Sequence, residues 1–221
     1  MSTKIDWQAV IVGPPGAGKT SLLRELMLQH RRAGAVVFVM DVVRQFGDLL
    51  PLYETCGHYH AAQQRAATEG RAAELGAAIS SQDSEELTDY AVSIAERLST
   101  LREQGAPAPP YVALLYDEAT LVRELTQYHI PPKMEAVLAT RRHLGLAVGI
   151  LGQDFGQMHK RWRELSTDLF LFKTNSESRI RTVADSFGIN RQELEGHLAA
   201  MKDRYQYLHI AHGRILGAED R

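Results

Sequence analysis

Nine consecutive residues, "GPPGAGKTS" (13–21), set glycines at 13, 16 and 18 around one lysine, Lys19, which is followed by the hydroxyls of Thr20 and Ser21. Glycine removes side chains where a backbone must bend or approach a ligand. A lysine with a neighbouring hydroxyl suits a polyphosphate and its cation. The spacing Gly, four residues, Gly, Lys, Thr is that of a phosphate-binding P-loop. Pro14 and Pro15 lack an N–H and stiffen the loop's entry. The donors are therefore expected among the backbone amides of Gly16, Ala17, Gly18, Lys19, Thr20 and Ser21, at a helix N-terminus whose dipole favours anions. With Gly13, Pro14 and Pro15 these residues make up the expected nucleotide loop. Lys19 would reach the β- and γ-phosphates and Thr20 would ligate Mg²⁺, so ATP and Mg²⁺ are the expected ligands.

Hydrolysis needs further groups. "YVALLYDEA" (111–119) ends an apolar run on Asp117 and Glu118. An aspartate there would hold the Mg²⁺ shell, and a second carboxylate beside it would polarise the attacking water. The competing reading is a helix cap, Asp117, followed by a first-turn glutamate. Gln153 ends another apolar run, "LAVGILG" (146–152), where a lone amide beside a phosphate site is a natural hydrogen-bond sensor. Arg141 and Arg142 sit near the end of a helical stretch, where solvated cations are favoured in any case.

These groups need strands to carry them. Apolar runs at 7–13, 35–41, 111–117, 146–152 and 168–174 read as buried strands, two of them ending on Asp41 and Asp117. Helical spacing covers 19–34, 84–104, 131–144, 178–188 and 190–202, and the chain ends in "RYQYLHI" (204–210) and a hairpin. Between them, "TCGHYH" (55–60) reads as a short strand and residues 61–79, rich in alanine, as a helix despite Gly70 and Gly76. Alternating strands and helices predict an α/β fold: a mostly parallel sheet flanked by helices, with a C-terminal β-hairpin, in one domain spanning 1–221.

Length and composition agree. The 221 residues suit one large domain, and 44% hydrophobic with 24% charged residues is ordinary for a globular chain. A net charge of −2 argues against a polybasic nucleic-acid binder but leaves room for a local basic channel. The single cysteine, Cys56, forbids an intrachain disulfide and suits a reducing compartment. No leader-like segment and no run of membrane-spanning length is visible, so a cytoplasmic location is expected.

The segment "RRHLGLAVGILGQ" (141–153) then narrows the reading. With the P-loop and the Asp–Glu pair, it resembles the FtsK/HerA superfamily of P-loop DNA-translocating ATPases, a group that includes chromosome pumps, conjugation ATPases and viral packaging ATPases. The resemblance runs from the P-loop to about residue 188, including "LFKTNSESRIRTVADSFG" (171–188). It implies a RecA/FtsK-like fold, Arg142 as an arginine finger acting on a neighbouring subunit, and Gln153 as the γ-phosphate sensor. Asp41 matches an aspartate often found there. A trans finger implies a homo-oligomeric ring, expected as a hexamer, that moves double-stranded DNA. A bare motor of this length most resembles the packaging ATPases of membrane-containing DNA viruses. That origin would place it in host cytoplasm or on the virion, with a capsid or membrane-vertex protein as docking partner.

Two rivals stay open. One is an AAA+ helicase loader, which would carry Asn or Thr in place of Gln153 and a helical lid in place of the hairpin. The other is a nucleotide switch without hydrolysis, which would lack a base such as Glu118. Cys56, His58 and His60 alternate, so a strand would bring them to one face, but no fourth zinc ligand stands at a usual spacing. "HKRWRE" (159–164) reads either as a DNA contact through Trp162 or as a solvated helix face with Trp162 turned inward.

Overall fold

The computed structural model describes residues 6–118, 130 and 132–219. Along the chain, β1 (Gln8–Val12) leads into α1 (Lys19–Arg32), then β2 (Val36–Met40), β3 (Leu52–Tyr53) and α2 (Cys56–Thr68). Next come β4 (Gly76–Ile79), α3 (Ser84–Glu103), β5 (Val112–Tyr116), α4 (Pro132–Leu144) and β6 (Leu146–Gly152). A 3₁₀ turn (Phe155–Gln157), α5 (Lys160–Leu165), β7 (Asp168–Phe172), α6 (Glu177–Phe187) and α7 (Arg191–Ala200) precede β8 (Tyr207–Ala211) and β9 (Arg214–Glu219).

Among the described residues, nine strands join one sheet in the order β3-β4-β2-β5-β6-β1-β7-β8-β9. The first seven positions pair parallel, and β8 and β9 close the far edge as an antiparallel hairpin. The expected α/β architecture is present. The C-terminal strands extend the sheet through β7, so this part of the chain forms no helical lid. Among the described residues no helix is long and apolar enough to cross a membrane.

The alternation of side chains along each strand explains why the central runs are continuously apolar. Val10 and Val12 enter a core layer beneath α3 and α4, while Ala9 and Ile11 enter the opposite layer beneath α1. Helix α1 contributes Leu22, Leu23, Leu26 and Met27 to its layer. With both faces covered, the free edge at the strands' C-terminal ends is where loops can carry chemistry.

Residues 55–79 depart from the expectation. Thr55 caps a helix, its hydroxyl accepting from the His58 N–H at 3.2 Å, so 56–68 is helical and not a strand. Cys56 and Tyr59 then face the core while His58 and His60 face solvent. A short alternating run satisfies either period, and the cap decides it. The helix read into 61–79 stops at Thr68, and Gly76–Ile79 becomes a strand between β2 and β3. Alanine's helix propensity yields there to strand pairing, and at Gly76 a Cβ would stand 1.9 Å from Val37 O. The next helix is capped by Asp83, whose carboxylate accepts from Glu86 N at 2.8 Å.

Trp162 turns inward. It is fully buried and packs edge-on against Tyr116, the last residue of β5, with ring centroids 6.0 Å apart. Two of the cations around it are paired with acids: Arg161 with Glu135 at 2.6 Å and Lys160 with Glu164 at 3.2 Å. The structure thus selects the inward reading of 159–164 over a stacked DNA contact. Trp162→Ala should cost about 3–5 kcal/mol in a denaturant titration, as expected for a large buried aromatic, whereas Lys160→Ala should change stability by less than about 0.5 kcal/mol.

Candidate nucleotide-binding site

Three loops meet at the C-terminal edge of three adjacent strands. The order β5-β6-β1 puts Asp117 and Glu118, then Gln153, then the loop from Gly13 side by side. The register fixes their level, since Val12 lies opposite Gly152 and Tyr116 opposite Ile150. Separations of about 140 residues in sequence thus become neighbouring strand tips.

The P-loop is shaped by its glycines at two points. Gly18 adopts φ 99° and forms the N-cap of α1, a left-handed conformation that only glycine holds cheaply. A Cβ on Gly13 would stand 2.5 Å from Phe172 Cβ, so the loop begins pressed against the end of β7. Ala17 N–H is bonded within the loop to Pro14 O, and Ser21 N–H to Gly18 O. Among the described residues, the amides of Gly16, Gly18, Lys19 and Thr20 make no hydrogen bond, which narrows the expected donor set to these four. Lys19 folds back over the loop, its Nζ donating to Gly13 O at 2.9 Å and Pro14 O at 3.0 Å. Burial holds its ammonium below the usual lysine range, against the pull of Glu118 and Asp117.

Across from it, Asp117 is 2% exposed and its Oδ2 has no hydrogen-bond partner among the described residues. Burial first, and then the charges of Asp41 and Glu118, push its carboxyl up to about 7. A buried carboxylate oxygen with nothing to accept from is what a divalent cation fits, and the Thr20 hydroxyl is the other candidate ligand from this chain. Glu118 has φ 48°, unusual for a residue with a side chain and of the kind that clusters at functional sites. Its Oε1 accepts from Gln153 Nε2 at 3.4 Å. Both oxygens of Asp41 are engaged, accepting from Gln45 N at 2.7 Å and Phe46 N at 2.9 Å, so Asp41 shapes the turn after β2.

Arg142 lies elsewhere. Strand β6 runs parallel to β1, so Gln153 follows its end at the P-loop edge while Arg141 and Arg142 precede its start, seven residues or roughly 23 Å away. Arg142 is exposed and ion-paired with Asp6, just before β1, at 2.6 Å. Arg141 is buried and bonded to Leu138 O, Asp6 and Leu165 O, which makes it a structural staple. Among the described residues no cluster of His, Cys, Asp and Glu suits a metal by itself, and Cys56, His58 and His60 point apart on α2.

Two residues near the pocket carry no sequence signal of their own. Asp154, directly after Gln153, is ion-paired with Arg179 of α6 at 2.9 Å, and the Arg179 charge is felt at Lys19. The run "SESRIR" announces a helix start with arginines, but only the packing of α6 tells which arginine pairs with Asp154.

No protein-family model matches this chain, and no curated protein does. Solved structures do. The genome packaging NTPase B204 of Sulfolobus turreted icosahedral virus 2, in complex with AMPPCP, superposes with a TM-score of 0.73 at 14% identity, covering 97% of each chain. The chain has the fold of a P-loop NTPase. VirB4 of Thermoanaerobacter pseudethanolicus matches this P-loop NTPase fold at 0.55 and 10% identity, over 97% of this chain and 90% of that one. The pCW3 conjugation coupling protein TcpA, with ATPγS, matches at 0.65 and 14% identity; the chain covers 60% of its length. The expected likeness to FtsK/HerA-type ATPases therefore holds at the level of fold.

The Asp117 carboxyl supplies a prediction with a definite sign. Its folded value lies above its ordinary one, so the folded state keeps a proton that the unfolded chain loses between about pH 4 and 7. Nucleotide-free protein should therefore lose stability across that window as pH rises. Thermal melts of wild type and Asp117→Asn should diverge in the variant's favour from pH 5 to 8. Mg²⁺ at pH 8 should recover part of the difference in wild type only. Parallel melting curves would remove Asp117 from the cation site.

Proposed function

We propose that this chain is an ATP-hydrolysing motor of FtsK/HerA type that moves double-stranded DNA as a homo-oligomeric ring, with viral genome packaging as its setting. The observation that carries the reading is the convergence of three strand tips: P-loop, Asp117–Glu118 and Gln153 on β1, β5 and β6 in adjacent positions. The full-length likeness to a genome packaging NTPase supports the setting.

In this reading Lys19 exchanges its two carbonyl partners for the β- and γ-phosphates, and the amides of Gly16, Gly18, Lys19 and Thr20 receive the remaining charge. Thr20 and Asp117 would hold Mg²⁺, which supplies charge neutralisation on the phosphate oxygens. Glu118 takes the proton of the attacking water. Gln153 keeps Glu118 oriented and reads the γ-phosphate through the same amide. Arg142, at the far edge of the sheet, cannot serve its own nucleotide. It is exposed and, among the described residues, paired with Asp6, which supports a role on a neighbour's nucleotide and with it a ring, expected as a hexamer. The hairpin in place of a lid and the presence of Glu118 both favour this reading over a helicase loader or a switch.

The test is turnover in mixed rings, measured with duplex DNA present. A trans finger is worth ~10³–10⁵ in rate, so Arg142→Ala and Lys19→Ala should each be nearly inactive alone. At equal mixing about a quarter of pockets pair an intact P-loop with a neighbour's intact Arg142, and activity should return in that proportion. Stimulation by DNA should fade as salt rises, because phosphate contacts release counterions. Mixed rings without recovered turnover would remove Arg142 from the trans site, and a rate indifferent to DNA would remove the motor.

A further inference from the structure

Arg179 is a cation near the pocket that the function proposed above leaves without a task. It stands in the first turn of α6, where a helix dipole disfavours positive charge, so its placement is not explained by helix stability. Helix α6 follows β7, the strand whose end touches the start of the P-loop through Phe172 and Gly13. Arg179 pairs at 2.9 Å with Asp154, the residue after Gln153 at the pocket edge, and its charge adds a small share to the lowering of Lys19, which burial dominates. Two cations thus lie within electrostatic range of each other beside this loop, an arrangement that an anion between them would relieve.

Its present partner is informative. Asp154 holds Arg179 at 2.9 Å with Oδ2, while its Oδ1 accepts from Gly156 N at 2.9 Å and caps the 3₁₀ turn. The pair is partly exposed, with side chains 31% and 20% accessible, and such pairs contribute little and exchange readily. Asp154 directly follows Gln153, whose amide meets Glu118. A continuous line therefore runs from Glu118 through Gln153 and Asp154 to Arg179 and α6.

We propose that Arg179 is a second phosphate-facing cation of the same chain, held at the rim by Asp154 and taken over by the γ-phosphate of a bound nucleoside triphosphate, so that release of the Arg179–Asp154 pair passes the nucleotide state to α6. This rests on the nucleotide reading of the P-loop and adds a residue that distinguishes tri- from diphosphate. Arg142 would act from a neighbour, whereas Arg179 acts from within. Arginine suits the task because its fork can leave one oxyanion for another without losing charge.

The experiment is equilibrium binding of AMPPCP and ADP, with Mg²⁺, to the full chain and to Arg179→Ala, Arg179→Lys and Asp154→Asn, each checked by its thermal melt. Arg179→Ala should weaken AMPPCP by about tenfold or more, as for a lost hydrogen bond to a charged group, and leave ADP unchanged. Arg179→Lys should retain part of the preference. Asp154→Asn keeps an acceptor for Gly156 but frees Arg179, so AMPPCP should bind more tightly and ADP as before. Opposite signs for the two substitutions are the signature of a latch. If both weaken both nucleotides alike, or neither changes the ratio, Arg179 is a staple for α6 and the proposal fails while the P-loop reading stands. If wild type binds neither nucleotide, both fall together.

Discussion

The structure is organised around a buried cation. Lys19 sits at the mouth of α1 with its ammonium turned onto two backbone carbonyls, and burial works against its charge. On the neighbouring strand tips stand carboxylates with the opposite difficulty, Asp117 above all, with one oxygen that nothing in the described protein satisfies. Both problems have a common remedy: an anion for the lysine and the amides, and a divalent cation between that anion and the aspartate. The pocket is poorly satisfied by its own residues, and that is the physical sense in which it is built for a ligand.

Everything else in the fold serves to hold these tips at one level. Parallel pairing of β1 with β6 and β6 with β5 requires crossover helices, and those helices cover both faces of the sheet and exclude water from its strands. Packing reaches the site directly. Phe172 leaves no room for a side chain on Gly13, and Trp162 braces Tyr116 just before Asp117. At the opposite edge, buried Arg141 ties α4 to the approach of β1 and to the end of α5. Its neighbour Arg142 is left at the surface, paired with Asp6.

The legibility of these features in sequence follows the range of the physics involved. The P-loop, the Asp–Glu pair and Gln153 are local: each is a residue type at the end of an apolar run, and the runs are strands because they are buried on both sides. Residues 55–79 misled because alternation over six residues fits two periods, and because alanine's helical preference is weaker than a pairing slot between β2 and β3. Which of Arg141 and Arg142 is buried and which exposed depends on helix phase, which residue type alone does not tell. The significance of Arg179 over Arg181 depends on the packing of α6 and on Asp154, contacts that no local pattern encodes. Asp41 shows the converse, a residue whose position matched a motif while its oxygens are used for a turn.

The claim that bears the most weight is that Lys19 is held in readiness for a triphosphate. Calorimetric titration of Mg²⁺ and AMPPCP into the wild-type chain and into Lys19→Ala tests it most directly. The account predicts one nucleotide per chain for wild type, and affinity weaker by about a hundredfold or more in a variant that melts no lower, since a charge-assisted contact to each of two phosphates is removed. Undiminished binding by Lys19→Ala, at the same stoichiometry, would contradict it.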